Sequence, residues 1–481
     1  MHWRSIARLF GILLGLYSLS FLPPAAVSFW YGDGQLFDFV IAALASALTG
    51  LLLWLPNARE RSELSVREGF LIVTLFWVIL SLFSAIPFIV GLHLNLTDAL
   101  FESVSGFTTT GATVIIGLDD LPRSLLYHRQ QLQFLGGMGI IVLAVAILPM
   151  LGVGGMQLYR AEASSVSRQD KLTPRIAETA RLLWSIYFTL TLLCATAYWA
   201  AGMSLFDAIC HSFATVATGG FSTHDASMAF FNSPTIELIA IVFMLAGGVN
   251  FAVHFIAWRR LSPQPYVDDA ETTGYVVIFV VASVLAAAGL YFAGADRGGI
   301  ESLRLSTFQV ASVMTTTGFT TDNFALWPLY IPFLMVLLGF TGGCAGSTAG
   351  GIKVLRILVL AKLGLRQLFK LAHPRAVAVL RVGRATVSQE VLYSVLGFYV
   401  LYVVTSLALV LANMAAGLDL ESALGAVMAT INLVGPGLGE VAVTFATVND
   451  TVKWLGIFAM LAGRLEVFTL LILLLPAYWR N

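Results

Sequence analysis

The sequence of 481 residues has little charge: Asp, Glu, Lys and Arg make up 11% of it, whereas they make up about 25% of an ordinary soluble domain. Hydrophobic residues make up 58%, and the mean hydropathy is +0.86. This balance excludes a soluble globular domain and indicates an integral membrane protein. Basic and acidic residues are equal in number, and a net charge of zero argues against a nucleic-acid-binding role.

Cysteine and recognisable catalytic motifs are also scarce. The three cysteines lie in apolar or glycine-rich stretches without CxxC spacing and are interpreted as small packed residues (Cys194, Cys210 and Cys344). Several histidines lack metal-ligand spacing such as HExxH and are interpreted as structural (His128, His211 and His254). No nucleophile–base pair or metal constellation stands out, so we predict neither an enzyme nor a cofactor.

Long apolar runs recur along the chain, and each is long enough to cross a ~30 Å hydrocarbon core as a helix. The first run is longer than the ~7–15-residue core of a secretory signal, so we interpret it as a retained helix. Ten spans are predicted, at roughly 6–30, 38–56, 69–92, 126–150, 181–201, 235–257, 274–293, 326–360 (interrupted), 391–413 and 453–477.

The basic residues predict the orientation of these spans, because Lys and Arg favour cytoplasmic connections. Of the 27 basic residues, 21 fall at the two termini and in one alternate set of connections. The other set holds five, and Arg464 lies within the last span. Both termini are therefore expected in the cytoplasm, with the basic run from Lys353 to Arg384 on the same side.

Four short stretches rich in glycine and hydroxyl groups fall in the long outer connections, and we name them filter loops one to four. They read TTTGAT at 108–113, ATGGFS at 217–222, TTTGFT at 315–320 and NLVGPG at 432–437. Irregular backbone at membrane depth is tolerated only where it is buried in protein or lines a watery path. Four such loops in one chain indicate an ion pathway ringed by backbone carbonyls.

A segment too short to span the membrane precedes each filter loop, at 98–107, 205–216, 302–314 and 419–431. Such segments predict re-entrant pore helices. Asp98 and Asp207 each lie 13 residues before a glycine, which favours Gly220 over Gly219 as the equivalent of Gly111. The four glycines are 109, 98 and 117 residues apart, and the residue six before each is small (Ser105, Ala214, Ser312 and Ala429).

Rings of carbonyls replace the water shell of an alkali cation, and glycine permits the positive-φ backbone that such rings need. Glycine and threonine also serve close helix packing, but four stretches in one register favour a selectivity filter. Five acidic residues are expected to make the outer mouth attractive to cations (Asp98, Glu102, Asp207, Glu421 and Glu440). The candidate filter residues are Thr109, Thr110, Gly111, Thr218, Gly219, Gly220, Thr316, Thr317, Gly318, Leu433, Val434 and Gly435.

The eighth span is interrupted by a glycine-rich loop, Thr341–Gly351, in which five of eleven residues are glycine. Each glycine costs about 1 kcal/mol relative to alanine in a helix, so we expect this stretch to unwind at mid-membrane. We interpret it as a gate below the filter; the alternative is a close-packing patch in a kinked helix. It lacks the Gly-Lys-Ser/Thr of a phosphate-binding loop. The gate candidates are Gly342, Gly343, Gly346, Gly350, Gly351, Lys353 and Arg464.

Arg464 stands in the middle of the last predicted span. A central arginine costs about 2.5–3.5 kcal/mol on insertion scales, so it is expected to face protein or a wet path. Below the filter it would repel cations or donate hydrogen bonds to carbonyls of the glycine-rich loop; the alternative is a structural arginine between helices. Glu466, two residues on, is expected to face largely away.

These motifs together resemble the Trk/Ktr superfamily of potassium transporters over essentially the whole chain. The resemblance rests on the four filter loops, the glycine-rich loop and the sequence GRLE at Gly463–Glu466. The helix pair before the first repeat is more similar to the Trk-type membrane subunit than to the shorter Ktr type. The resemblance implies uptake of K⁺ (and Rb⁺) across the bacterial inner membrane. It also implies a homodimer with one pore per chain, a cytosolic nucleotide-binding regulatory ring, and a permeation barrier at Arg464.

Filter loop four departs from the pattern, because no hydroxyl stands directly beside Gly435. Pore symmetry is therefore expected to be imperfect, and selectivity less strict than in a four-fold K⁺ channel. In the family, serine at the first-loop glycine accompanies Na⁺ permeation. All four positions are glycine here, which predicts K⁺ over Na⁺.

The predicted fold is an all-α polytopic membrane protein with four helix–pore helix–filter loop–helix repeats around a pseudo-four-fold pore. Whether transport is passive or a symport with H⁺ or Na⁺ stays open. A coupled carrier of a small organic solute is expected to have a few broken helices arranged in inverted repeats. The four re-entrant loops predicted here all run in the same direction, which disfavours such a carrier. The predicted units are an extra helix pair (1–67) and repeats at 68–160, 161–260, 261–385 (second helix broken) and 386–481.

Overall fold

The computed structural model describes residues 1–60, 65–142, 176–293, 298–328, 330–376, 378–383 and 385–480. These residues are mostly helical. The α-helices are Trp3–Tyr17, Leu22–Tyr31, Leu36–Trp54, Val66–Ser84, Ile86–Gly91, Leu96–Phe107, Arg123–Val142, Ile176–Ala200, Leu205–Val216, Pro234–Gly248, Phe251–Arg260, Gln264–Asp268, Ala270–Phe292, Gly299–Met314, Ile331–Thr341, Val354–Ala372, Gln389–Ala415, Leu420–Ile431, Asp450–Arg464, Phe468–Leu474 and Pro476–Trp479. A two-stranded antiparallel ribbon, Arg381–Val382 with Ala385–Thr386, is a small departure from the all-α prediction.

The chain is a membrane protein with several apolar spans. Within the described ranges, six helical segments are long and apolar enough to cross a membrane, and two bent helix pairs raise the number to eight. The ten-span count stays a prediction, since part of the predicted span 126–150 lies outside the described residues. The predicted boundary between the first two repeats, at residues 160 and 161, also lies outside them. The six segments are Trp3–Tyr31, Leu36–Asn57, Arg67–Gly91, Ala180–Ala200, Ala270–Phe292 and Gln389–Ala415.

The prediction of uninterrupted sixth and tenth spans is wrong. The sixth is bent by 99° between Gly247 and Phe251, where the Asn250 side chain accepts a 2.9 Å hydrogen bond from the amide of Ala252 and starts a new helix. The tenth is bent by 117° after Arg464, where Glu466 and Val467 have φ of 56° and 53°. The predicted interruption of the eighth span is confirmed, because one helix ends at Thr341 and the next begins at Val354.

Four short helices precede the filter loops, as predicted, and we name them pore helices one to four. Three begin at a residue whose side chain accepts a hydrogen bond from the amide three positions on: Asn95 at 2.8 Å, Ser204 at 3.0 Å and Asp419 at 3.0 Å. Such caps satisfy backbone donors that have no partner at a helix start. The pore helices are Leu96–Phe107, Leu205–Val216, Gly299–Met314 and Leu420–Ile431.

The N-terminal helices pack closely through small residues. A Cβ atom on Gly11 would lie 2.6 Å from the backbone nitrogen of Trp54 and 2.8 Å from the carbonyl of Gly50. The Ser46 hydroxyl donates a 2.9 Å hydrogen bond to the Leu14 carbonyl across the same contact. Small residues let helix backbones approach closely in membranes, where apolar burial alone does not drive association.

Candidate ion filter and gate

The four filter loops share one backbone conformation. The residue two before the filter glycine has φ between 51° and 61° (Thr109, Thr218, Thr316 and Leu433), and the glycine itself has φ between 78° and 93° (Gly111, Gly220, Gly318 and Gly435). Gly219 therefore occupies the position of Thr110, and Gly220 that of Gly111, in agreement with the register read from the sequence. Glycine adopts this left-handed backbone without steric cost at the filter position, whereas threonine or leucine adopts it two residues earlier.

The small residue six before each filter glycine lies at the end of its pore helix and fixes the loop. Its carbonyl accepts a hydrogen bond from the amide of the residue just before the glycine, at 2.8–2.9 Å in all four loops. All four small residues are fully buried. The pairs, donor first, are Thr110 with Ser105, Gly219 with Ala214, Thr317 with Ser312 and Val434 with Ala429.

The four loops contact one another in a closed ring. A Cβ atom on any filter glycine would lie within 3.0 Å of a backbone carbonyl oxygen of the next loop, closer than real Cβ atoms come. The contacts run from loop one to two, two to three, three to four and four back to one. The pairs, glycine first, are Gly111 with Gly219, Gly220 with Thr317, Gly318 with Val434 and Gly435 with Thr110.

Threonine hydroxyls brace loops one and three. The side chains of Thr108 and Thr110 are hydrogen-bonded at 2.7 Å, and those of Thr315 and Thr317 at the same distance. Thr108 and Thr315 also donate to carbonyls one helical turn back, at 2.7 Å each. Loops two and four have no such hydroxyl pair, because Ala217 with Gly219 and Asn432 with Val434 occupy these positions.

The outer mouth is less acidic than the sequence suggested. Glu102 is fully buried; its carboxylate accepts from Arg129 at 2.7 Å and from the amide of Val114 at 3.0 Å. The expectation that Glu102 contributes charge to the mouth is therefore wrong, since a buried carboxylate needs a paired cation and hydrogen bonds. Asp98 is paired with Lys453 at 2.6 Å, whereas Glu421 and Glu440 are exposed.

The glycine-rich loop contacts the junctions of three pore helices with their filter loops. The amide of Gly350 donates a 2.6 Å hydrogen bond to the Thr316 hydroxyl. The hydroxyl of Thr348 donates to the Val216 carbonyl at 3.0 Å. A Cβ atom on Gly350 would lie within 3.0 Å of the Asn432 carbonyl oxygen, so glycine is required for this close approach.

Two anchors hold the glycine-rich loop from the other side. The amide of Cys344 donates a 2.8 Å hydrogen bond to the carbonyl of Gly248, which is freed by the break in the sixth span. The buried carboxylate of Glu271 accepts from the amides of Ala345 and Leu355, at 2.7 and 2.9 Å. The helix break that sequence analysis missed thus supplies an acceptor for the loop.

Arg464 joins the glycine-rich loop to the first repeat. Its side chain is buried, with 2% of the residue exposed, and it donates to the carbonyls of Thr348 at 2.9 Å and Gly136 at 3.1 Å. Lys353 donates to the carbonyl of Ala349 within the loop. The gate candidates therefore lie together, and the expected contact between Arg464 and the loop carbonyls is present.

Glu466 faces another partner, as its two-residue offset from Arg464 suggested. Its carboxylate pairs with Arg356 at 2.5 Å, just past the helix end at Arg464.

Sequence reasoning missed three polar side chains that hold these loops: Gln133, Glu271 and Tyr402. Gln133 donates to the Gly219 carbonyl at 2.6 Å, and the Tyr402 hydroxyl donates to the Asn432 side chain at 2.6 Å. Gln133 and Tyr402 are polar groups inside predicted apolar spans, where a polar group is expected to have a buried partner. Glu271 lies just before the predicted span 274–293. Pattern alone did not indicate which partner each one has.

The histidines interpreted as structural are all hydrogen-bonded. His128 lies against the Ser84 carbonyl at 3.1 Å, His211 against the Ser222 hydroxyl at 3.0 Å, and His254 against the Tyr266 hydroxyl at 2.8 Å. Within the described part of the chain, no group of three His, Cys, Asp or Glu side chains is arranged to hold a metal ion.

Comparison with known proteins decides the family. The TrkH family, described as cation transport proteins, matches residues 35–480. The chain belongs to the TrkH family. This confirms the resemblance to Trk-type membrane subunits and makes the protein a member of a transport family rather than an enzyme family.

Several relatives of this family are similar over their whole length. The Trk system potassium uptake protein TrkH of Vibrio parahaemolyticus is 50% identical, and that of Escherichia coli K12 is 48% identical, over 100% of both chains in each case. The Trk system potassium uptake protein TrkG of Escherichia coli is 41% identical over 100% of this chain and 99% of its own. A crystal structure of the potassium transporter TrkH from Vibrio parahaemolyticus matches with a TM-score of 0.93 and 48% identity over 100% of both chains.

Proposed function

We propose that this chain takes up K⁺ (and Rb⁺) selectively across the bacterial inner membrane, as the pore subunit of a Trk system. The observation that carries the proposal is the closed ring of four filter loops, in which each glycine contacts a carbonyl of the next loop. Relatives of 48–50% identity are named potassium uptake proteins, which favours K⁺ as the transported ion.

In this proposal the carbonyl oxygens of the filter loops replace the water shell of K⁺. The filter residues are the triplets ending at the four glycines: 109–111, 218–220, 316–318 and 433–435. Hydrogen bonds to the pore helices and to buried hydroxyls hold the backbone of the filter loops. The carbonyl dipoles therefore stay oriented toward a cation, and the loops do not rearrange each time an ion binds. Glycine at all four positions supports selectivity for K⁺ over Na⁺. A side chain at any of them would collide with the carbonyl of the next loop and displace it from the ring.

The gate in this proposal is the glycine-rich loop together with Arg464. The loop lies against the ends of three pore helices, and Arg464 holds it through the Thr348 carbonyl. A fixed guanidinium charge next to the path also opposes cation passage electrostatically. Opening then requires Thr348 and its neighbours to move away from the filter, which releases the carbonyls that Arg464 and Lys353 hold.

We further propose the assembly that the resemblance implies. Two chains form a homodimer with one pore each, both termini face the cytoplasm, and a cytosolic nucleotide-binding ring docks near the basic run 353–384. The repeats are assigned to 68–160, 161–260, 261–385 and 386–481, after the N-terminal unit 1–67. The positive charge of the run 353–384 supports its cytoplasmic position.

The test is uptake of radioactive Rb⁺ into proteoliposomes that contain this chain alone, with K⁺ inside and either K⁺ or Na⁺ added outside. We expect K⁺ to compete with Rb⁺ and Na⁺ not to compete. Empty liposomes and an Arg464→Ala variant serve as controls for leak and for a closed gate. Competition by K⁺ and Na⁺ to equal extents would contradict the selective filter, and no flux from folded protein in either form would contradict the pore itself.

A further inference from the structure

The residue just before the filter glycine carries a side chain in three loops and none in the other. It is Thr110 in loop one, Thr317 in loop three and Val434 in loop four, but Gly219 in loop two. Loop two shares the φ values and the pore-helix hydrogen bond of the other loops. The missing side chain is therefore not explained by a different backbone.

Gln133 occupies the space that this side chain would fill. It lies on the helix Arg123–Val142, in the preceding repeat, and is fully buried. A Cβ atom on Gly219 would lie 2.5 Å from Cδ and 2.6 Å from Oε1 of Gln133. Any residue larger than glycine at 219 would therefore displace the Gln133 amide.

The Gln133 amide holds both neighbours of the filter glycine Gly220. Its Nε2 donates a 2.6 Å hydrogen bond to the carbonyl of Gly219, and its Oε1 accepts a 3.1 Å hydrogen bond from the amide of Phe221. Because the Phe221 amide can only donate, this contact fixes which end of the amide faces Gly219. Gln133 thus supplies from outside the loop what the hydroxyl pairs supply inside loops one and three.

Loop four is held in a comparable way. Asn432 takes the position of Thr108 and donates to the carbonyl one turn back, at 3.2 Å. Its oxygen accepts a 2.6 Å hydrogen bond from the hydroxyl of Tyr402, on the helix Gln389–Ala415. Loops one and three are therefore braced from within, and loops two and four from a neighbouring helix.

We propose that Gln133 is a specificity-determining residue of the cation filter, an inference that rests on the proposed function. The carbonyl of Gly219 lies against Gly111 in the ring. A carbonyl oxygen has two lone pairs, so Gly219 accepts from Gln133 and keeps one for a cation. The amide fixes the position of this oxygen, and a carbonyl free to move inward accommodates the smaller Na⁺.

The first test compares Gln133→Leu with Gln131→Leu. Leucine retains the bulk at 133 but removes both hydrogen bonds to loop two. We expect the K⁺/Na⁺ selectivity, measured by competition of each ion with Rb⁺ uptake, to fall about tenfold. Gln131 lies on the same helix and donates a 2.8 Å hydrogen bond to the Ser20 carbonyl, away from the filter. Gln131→Leu should leave the selectivity ratio unchanged, because it removes a buried hydrogen bond of the same kind elsewhere.

The second test rebuilds the brace inside loop two. The triple variant Gln133→Ala, Ala217→Thr and Gly219→Thr removes the amide and supplies the hydroxyl pair found at Thr108 and Thr110. We expect its selectivity to return to within about twofold of the wild type. Gly219→Thr alone should lose selectivity, because Gln133 still occupies the space.

The outcomes separate this proposal from the proposed function. Absence of K⁺-selective flux from folded protein in both the wild type and Arg464→Ala would contradict the proposed function. If the wild type is selective and folded Gln133→Leu is equally selective, the proposed role of Gln133 is overturned. It is also overturned if Gln133→Leu loses K⁺ flux and Na⁺ flux to the same extent, because that result indicates a purely structural role. If Gln133→Leu does not fold, the triple variant decides: restored selectivity supports the proposal, and a folded, unselective triple variant overturns it.

Discussion

At the scale of single residues, the filter glycines are fixed by what surrounds them as much as by their backbone. Gly111 has φ of 85°, and a Cβ atom there would lie within 3.0 Å of the Gly219 carbonyl oxygen. Gly202 has φ of 104°, but nothing lies within 4 Å of the corresponding position. Both positions have left-handed backbone, but only Gly111 lies against a carbonyl of the ring.

We predict that Gly111→Ser lowers the K⁺/Na⁺ selectivity of uptake about tenfold or more, because the added side chain displaces a ring carbonyl. Gly202→Ser is the matched control: it carries comparable backbone strain of about 1 kcal/mol and should retain wild-type selectivity. Rb⁺ uptake with competing K⁺ and Na⁺ measures both. An unchanged ratio in folded Gly111→Ser would show that the ring is not the filter.

Arg464 is the residue on which the gate proposal depends. Its two hydrogen bonds hold carbonyls of the glycine-rich loop and of the first repeat. We predict that Arg464→Ala raises Rb⁺ uptake per folded protein several-fold, because it removes both the charge and the contact that hold the loop. Uptake normalised to folded protein after size-exclusion chromatography measures this. Lower yield without higher normalised flux would indicate a brace rather than a barrier.

At the scale of elements, a charged contact ties together the segments that follow filter loops one and two. The ring of His224 lies 2.5 Å from a carboxylate oxygen of Asp119 and 3.5 Å from one of Asp207, with the ring of His211 stacked 6.4 Å away. Burial alone would lower the pKa of His224, but the neighbouring carboxylates of Asp207 and Asp119 outweigh it and raise that pKa. The hydrogen bond between His224 and Asp119 is also the main reason that the pKa of Asp119 is lowered.

The sign of the resulting pH dependence follows from these two shifts. The stabilisation from His224 is present below its ordinary pKa of about 6.5 and is lost as the pH rises through its raised pKa. The stabilisation from Asp119 is present at neutral pH and is lost as the pH falls through its lowered pKa.

We predict that the melting temperature of purified protein falls as the pH rises above the ordinary histidine pKa of about 6.5 and through the raised pKa of His224, and that His224→Gln removes this part of the profile. Thermal unfolding in detergent between acidic and mildly alkaline pH measures it. The partly exposed contact is weakened by salt, so the effect should shrink at high ionic strength. An identical alkaline profile for wild type and His224→Gln would contradict the prediction.

At the scale of the whole molecule, one chain supplies all four filter loops and closes the ring by itself. Each pore should therefore work independently, even in a homodimer. We predict that Rb⁺ uptake by mixed preparations of wild type and a non-transporting variant falls in linear proportion to the wild-type fraction. Co-expression with separately tagged chains and reconstitution measures this dependence. A steeper, quadratic dependence would mean that one pore requires two chains.

Local rules were sufficient to predict much of this protein. Apolar run length indicates the membrane spans, and short segments followed by glycine indicate the pore helices and filter loops. Glycine content alone predicted the break at Thr341–Gly351, and the common spacing assigned Gly220 rather than Gly219. In each case the property that decides the outcome belongs to one continuous segment of the chain and can be read from its residues.

Contacts between distant segments decided the rest. Glu102 is placed in the interior by Arg129, and Gln133 reaches a carbonyl 86 residues away. The break at Gly247–Phe251 is paired with the glycine-rich loop through the Gly248 carbonyl. Sequence by itself thus determined a membrane protein with four repeated loops, because helix length and backbone freedom are local properties. Tertiary structure alone decided which polar groups meet, because each buried donor or acceptor must find its partner wherever the fold places it.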